Sequence, residues 1–196
     1  VQRGIAEDQV SEETERDLLR RIHTGERAAC EEFIRMYYKP VYGLLFNLSR
    51  NAAQAEDLTQ ETFAAAWQHI GAFDGRRPLG AWLHRIGYNK FLDAQRSQVR
   101  EHSAQRLAGY APPHSGSGMG PVERVLSDER SRQLHDAIHR LEGARRDLII
   151  MHYLQGLSFR EMSEILGEPA GTVKWRVSEA LARLRQETLN GGLNHD

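Results

Sequence analysis

Thr172, Lys174, Trp175 and Arg176 stand together in GTVKWRVSEALARLR, residues 171–185. A hydroxyl, an ammonium, an indole and a guanidinium at the start of a helix can meet phosphate oxygens and base edges. They do so only if the helix turns them outward. Val173, Val177, Ala180, Leu181 and Leu184 follow helical spacing on one face, which leaves Lys174, Trp175, Arg176 and Glu179 toward solvent. Upstream, in SFREMSEILGEPA, Phe159, Met162, Ile165 and Leu166 repeat that spacing before a break at Gly167 and Pro169. Two short amphipathic helices around a tight glycine-containing break read as helix-turn-helix, with Ser158 and Thr172 as N-caps. In that motif the early residues of the second helix reach into the major groove. Glu179 lowers the positive charge of this face. The plainer reading is a helical hairpin with solvated charges.

A second group lies in AEDLTQETFAAAW, residues 55–67. Asp57, Gln60, Glu61 and Ala64 fall at i, i+3, i+4 and i+7 and form one polar, acidic face beside an apolar face of Phe63, Ala66, Trp67 and Ile70. Such a face is either simply solvated or a docking surface for a basic partner. A third group follows in FDGRRPLGAWLHRIGYNKFLDAQRS, residues 73–97. Trp82, Leu83 and Ile86 share a helical face there, with His84, Tyr88 and Gln95 roughly opposite and Arg76, Arg77, Arg85, Lys90 and Arg96 around them. Aromatics interleaved with cations beside a Gly/Pro loop suit single-stranded nucleic acid, although Trp82 also suits a core.

The elements that must hold these groups are all helical. Period-2 alternation is missing, while i, i+3, i+4 apolar patterns recur over 12–23, 27–49, 53–70, 80–97, 122–141, 144–155, 158–166 and 171–187. Pro40 marks a kink or a boundary in the second of these. AGYAPPHSGSGMGP, residues 108–121, is rich in Gly, Pro and Ser and reads as a flexible linker. The expected architecture is all-α: a disordered tail over 1–11, a helical domain over 12–98, a linker over 99–121, a second helical domain over 122–188 and a tail over 189–196. Eleven of the fifteen aromatics fall between Phe33 and Phe91, so the first domain holds the larger core.

Composition excludes several classes. The formal net charge is −1, yet residues 1–75 hold 8 basic against 13 acidic residues, and residues 76–106 hold seven against two. That asymmetry implies two kinds of partner. A single cysteine, Cys30, rules out an internal disulfide and suits a reducing compartment. No apolar run is long enough to span a membrane, and the acidic N-terminus is unlike a secretory signal. His135 and His139 sit four apart as a metal pair would, but nothing at helpful spacing completes a site. No nucleophile elbow, phosphate-cradling glycine motif or paired acids are present. The expectation is no enzyme, no metal, no cofactor and no small-molecule substrate.

The order DLTQETF, loop, AWLHRIGYNKFLD, linker, LSFREMSEILGEPAGTVKWRVSEALARLR resembles the extracytoplasmic-function sigma factors of bacterial RNA polymerase. The resemblance covers nearly all of residues 12–188. It implies a sigma domain two-like unit and a sigma domain four-like unit. Asp57, Gln60, Glu61 and Phe63 would dock on the clamp coiled coil of core polymerase, and the second unit on the β flap. Asp74, Arg76, Arg77, Arg85, Tyr88, Asn89, Lys90 and Arg96 would recognise and melt the −10 element. Ser158, Arg160, Thr172, Lys174, Trp175, Arg176, Glu179 and Arg183 would read the −35 element. Members often carry a small residue at the position of Trp175 and a basic one at that of Glu179, which shifts the expected −35 preference. The resemblance further implies promoter DNA and an anti-sigma factor as partners and a cytoplasmic location, held near the inner membrane where the anti-sigma factor is membrane-bound. Two alternatives are a decoy that sequesters an anti-sigma factor and a conventional helix-turn-helix regulator. The basic block over 76–106 argues against the decoy, and the lack of a sensor pocket against the regulator.

Overall fold

A computed structural model describes residues 14–107 and 136–192, with the side chains of 105–107 and 188–192 excepted. Every regular element among them is a helix. The first unit contains α1 (14–23), α2 (Arg27–Ser49), α3 (Ala52–His69), a 3₁₀ turn (Ile70–Ala72) and α4 (Leu79–Leu107). The second contains α5 (136–140), α6 (Gly143–Ile149) running into a π-helical turn (Ile150–Leu154), α7 (Phe159–Leu166) and α8 (Ala170–Gly192).

Helix α2 is the spine of the first unit. Its stripe of Phe33, Tyr37, Val41, Leu44, Leu45 and Leu48 is buried. The helix passes through Pro40 without ending. Proline deprives the carbonyl four residues back of its donor, and Met36, which carries that carbonyl, lies on the exposed side. Arg50 ends the helix in the left-handed conformation, φ 53°, and its N–H returns to the Phe46 carbonyl at 2.8 Å. Asn51 then caps α3 by accepting from the Gln54 N–H at 3.1 Å. This tight corner sets α3 antiparallel beside α2.

Helix α4 crosses both. A Cβ at Gly87 would sit 3.2 Å from Thr62 Oγ1 and 3.6 Å from a Leu45 methyl, so glycine permits the close approach. The N-terminus of α4 is held from far away in sequence. Glu15 accepts the Leu79 N–H at 3.0 Å and the Tyr37 hydroxyl at 2.7 Å. The helix also outlasts its apolar pattern. It continues through Leu107, so residues 99–107 are helical where the sequence suggested linker. The proposed linker beyond them, the N-terminal tail, the start of the 122–141 helix and His135 lie outside the described residues.

In the second unit Leu148, Ile149, Ile150, Met151, Met162, Ile165, Val173, Val177 and Ala180 are buried around α6–α8. The two units do not stand apart. Their buried side chains form one continuous apolar cluster, in which α7 packs on α4 and the π-helical turn on α2.

Candidate nucleic-acid interface

The α7–α8 corner is built by local chemistry. Ser158 Oγ accepts the Glu161 N–H at 3.2 Å, while the Glu161 carboxylate accepts the Ser158 N–H at 2.8 Å, a complete capping box. Gly167 closes α7 in the left-handed conformation, φ 70°. Helix α8 begins at Ala170, with the Val173 N–H on the Pro169 carbonyl at 3.0 Å. Thr172 therefore lies within the first turn and is not the N-cap that the sequence suggested.

Val173 and Val177 are buried, so Thr172, Lys174 and Trp175 stand in solvent, Trp175 at 65% exposure. Arg176 is different: its guanidinium is paired with Glu168. Glu179 accepts from Arg145 Nη2 at 3.0 Å, and Arg183 pairs with Glu187 at 3.4 Å. The Glu179 carboxylate thus brings Arg145, unnoticed in the sequence, to the flank of α8. Separated by 34 residues, the two share no periodic signal. Ser158 and Arg160 line a groove against the first unit instead.

On α3, Asp57, Gln60 and Glu61 are exposed on one face. Thr59 and Thr62, fully buried, return their hydroxyls to the Ala55 and Leu58 carbonyls at 2.6 Å and fix which side faces inward. Phe63 lies behind the acidic face, half-buried, edge-on to Phe33 at 5.7 Å and stacked on Tyr38 at 6.2 Å. Trp67, read from sequence on the apolar face of α3, is 50% exposed, and Ile34 and Tyr38 of α2 are also exposed. The i, i+4 spacing of Ile34 and Tyr38 carried that signal. Glu61 meets Lys90 Nζ at 3.0 Å, so the acidic face borders the basic helix directly.

The third group divides. Asp74 Oδ1 accepts the Arg76 N–H at 3.1 Å and shapes the turn at Gly75, φ 66°. Asp74, Arg76, Asn89 and Arg96 are exposed, the last paired with Asp93 at 3.1 Å. Trp82 packs half-buried on Phe73, ring centres 4.8 Å apart. Arg77, Arg85 and Tyr88 turn toward the second unit. Arg77 Nε is 3.8 Å from a Glu164 carboxylate oxygen, Arg85 Nη1 donates to the Glu164 carbonyl at 2.9 Å, and the Tyr88 hydroxyl donates to Asp147 Oδ2 at 3.1 Å. Tyr88 and His84, placed by the sequence roughly opposite the Trp82, Leu83 and Ile86 face, are 8% and 6% exposed. The cause is a second packing partner, α6–α7, on that side of α4.

Burial sets the electrostatics of this seam. It pushes the Asp147 carboxyl above the usual range, against the pull of Arg146 and the Tyr88 hydroxyl. The Tyr88 phenol is raised by burial and then by the Asp147 charge. Burial holds the His84 imidazole below its ordinary range. Its ring nitrogens have no partner of full hydrogen-bond geometry, and the Pro40 carbonyl offsets only part of the effect. Among the described residues no group of three His, Cys, Asp or Glu side chains could hold a metal ion, and no helix is long and apolar enough to cross a membrane.

The arrangement thus comprises an exposed acidic helix face, a basic helix with a structured turn, and a helix-turn-helix with an indole and an ammonium outward. The family model for sigma-70 region 2 matches residues 33–101, and that for sigma-70 region 4 matches residues 131–184. The chain is 29% identical to the ECF RNA polymerase sigma factor SigW of Bacillus subtilis, over 86% of this chain and 94% of that one. It is 32% identical to the ECF RNA polymerase sigma-E factor of Haemophilus influenzae, over 85% of this chain and 91% of that one. A solved structure of the sigma factor RpoE with the anti-sigma factor NepR from Bartonella quintana superposes with a TM-score of 0.61 at 28% identity, covering 82% of this chain and 96% of that one. With both regions present in order, and this identity over nearly the full length of its relatives, the chain belongs to the ECF sigma factors, the transcription initiation factors of RNA polymerase.

Proposed function

We propose that this chain binds core RNA polymerase and directs initiation at promoters by reading their −35 and −10 elements. Asp57, Gln60 and Glu61 on α3 dock on the polymerase clamp, with Phe63 supporting that face from behind. The turn at Asp74–Arg77 and helix α4, through Arg85, Tyr88, Asn89, Lys90 and Arg96, capture the opened −10 strand. Extracting a base costs a few kcal/mol, which stacking at about 1–3 kcal/mol per base offsets. Thr172, Lys174 and Trp175 of α8 read the −35 duplex, flanked by Arg176, Glu179 and Arg183, and the second unit rests on the β flap. No covalent step belongs to this chain. An anti-sigma factor holds it inactive in the cytoplasm, a reading supported by the complexed state of the RpoE relative.

One observation carries the reading: the acidic face of α3 and the outward first turns of α8 lie in one chain, each free of the core. The test is titration of core polymerase with dye-labelled protein. Asp57→Arg with Glu61→Arg should weaken binding on the order of 100-fold. Both residues are exposed, so the fold should lose no more than about 1 kcal/mol through the Lys90 pair. Unchanged polymerase affinity would refute docking through α3. The free protein should also bind promoter duplex weakly, since neither unit is strongly basic overall; tight specific binding without polymerase would contradict that.

A further inference from the structure

Glu179 is the sole acid between Ala170 and Gln186, and it stands on the exposed side of α8. It follows Trp175 by four residues, so the two share one ridge of the helix. The neighbouring side chains have less with which to read a base. The Ser178 hydroxyl donates to the Lys174 carbonyl at 3.0 Å, Ala180 is buried and Ala182 is apolar. A bare carboxylate at this place would be repelled by DNA phosphates. Arg145 removes that obstacle. Its Nη2 donates to Glu179 Oε1 at 3.0 Å, and its Nη1 pairs with Glu142 just before α6. With both ends of the guanidinium held, the Glu179 carboxylate is neutralised and oriented. Stability does not account for the arrangement, because the Arg145 and Glu179 side chains are 37% and 44% exposed and such pairs contribute little. Nor is it a trap for phosphate. The cleft around it, of about 510 Å³, sets Arg140, Arg145 and Arg183 against Glu142, Glu179 and Glu187, so its charges balance.

We propose that Glu179, positioned by Arg145, selects cytosine at one base pair of the −35 element. The inference rests on the reading of α8 as the −35 helix given above. In the major groove guanine and thymine present acceptors, which a carboxylate cannot use, so only the amino groups of cytosine and adenine can donate to it. Adenine sets its N7 acceptor beside that amino group, whereas cytosine offers its N4 amino group with no acceptor next to it. Cytosine is therefore the base that a carboxylate accepts from without repulsion. A carboxylate has about four acceptor sites, so the bond to Arg145 leaves capacity for the base. Arg145 acts through Glu179 as a positioning residue: it fixes the plane of the carboxylate and offsets its charge beside the DNA backbone.

The test uses holoenzyme assembled from bacterial core polymerase and the full chain. It selects bound DNA from promoter duplexes randomised across the −35 region, and the selected pool is sequenced. With the parent, one position should favour cytosine over guanine by about tenfold. Glu179→Gln should move the preference at that position to adenine and Glu179→Arg to guanine, with the other positions unchanged, since Gln pairs with adenine and Arg with guanine. Arg145→Ala should lower the cytosine preference by about threefold or more at that position alone, and Arg145→Lys should restore part of it. All four variants should melt with the parent, because both side chains reach solvent. A parent that favours guanine or thymine at the position these variants alter overturns the inference. So does an unchanged profile in Glu179→Gln. An Arg145→Ala variant that weakens every sequence alike, with the cytosine preference intact, overturns the positioning role. Trp175→Ala separates this inference from the reading beneath it. If Trp175→Ala alters the −35 profile and Glu179→Gln does not, the cytosine assignment alone fails; if neither alters it, the reading of α8 as the −35 helix fails with it.

Discussion

Removing the Tyr88 hydroxyl tests the bond at the centre of the seam. Tyr88 is 8% and Asp147 4% exposed, so water does not replace the lost donor. A hydrogen bond to a charged group contributes about 1.5–3 kcal/mol. Here the carboxylate keeps Arg146 Nη2 at 3.3 Å, which places the expected cost of Tyr88→Phe near the lower end, about 2 kcal/mol. For a chain of this length that lowers the melting temperature by about 4–8 °C. Asp147→Asn keeps an acceptor for the phenol and removes a charge that burial already disfavours, so its cost should be about 1 kcal/mol. The double variant should be about 1 kcal/mol more stable than the sum of the two losses predicts. The assay is urea unfolding of the four proteins at pH 7, followed by tryptophan fluorescence. A Tyr88→Phe cost below about 0.5 kcal/mol, with the pair additive within about 0.3 kcal/mol, would refute a cross-unit bond.

Three further outcomes are expected. Ser158→Ala removes the capping hydroxyl and should destabilise the second unit by about 1 kcal/mol in urea unfolding, with Ser158→Asp restoring most of it. Trp175→Ala should leave the melting temperature unchanged, since the indole is 65% exposed, yet alter −35 sequence preference by about 1–3 kcal/mol in holoenzyme binding to duplex variants; Lys174→Ala should instead weaken all duplexes alike and lower the salt slope by about 1. His84 is held neutral by burial, so its stabilising contribution is complete above 6.5, its ordinary value, and is lost as pH falls from there toward its depressed value in the fold. The urea midpoint of the parent should therefore fall more steeply below pH 6.5 than that of His84→Phe, in which Glu15 and Glu161 still face the same groove.

Much of this architecture is legible where burial imposes a period. Helix α2 matches its predicted range because its buried stripe runs unbroken from Phe33 to Leu48. The capping box at Ser158 and the glycine stop at 167 are local chemistry, written in adjacent residues. The end of α4 was not legible, since SQVREHSA, residues 97–104, buries nothing and shows no period, although its Gln, Arg, Glu and Ala favour helix. The burial of the His84 and Tyr88 side of α4 was not legible for a different reason. A helix packed on two sides hides His84 and Tyr88 against a neighbour that only tertiary structure reveals. Arg145 beside Glu179 and Glu15 beneath Leu79 are likewise products of long-range packing. Trp67 falls on the apolar face of α3 by its spacing, yet it is half-exposed, because spacing does not show which apolar positions the neighbouring helices cover.

The central claim is that this chain gives core polymerase its promoter choice through α3 docking. Run-off transcription with bacterial core polymerase on a promoter library tests it directly. Discrete transcripts that appear with the parent protein and vanish with Asp57→Arg and Glu61→Arg are the predicted result. A folded parent protein that yields no transcripts, or a variant that supports the same ones, would contradict the account, and the first of these would favour a decoy that titrates an anti-sigma factor.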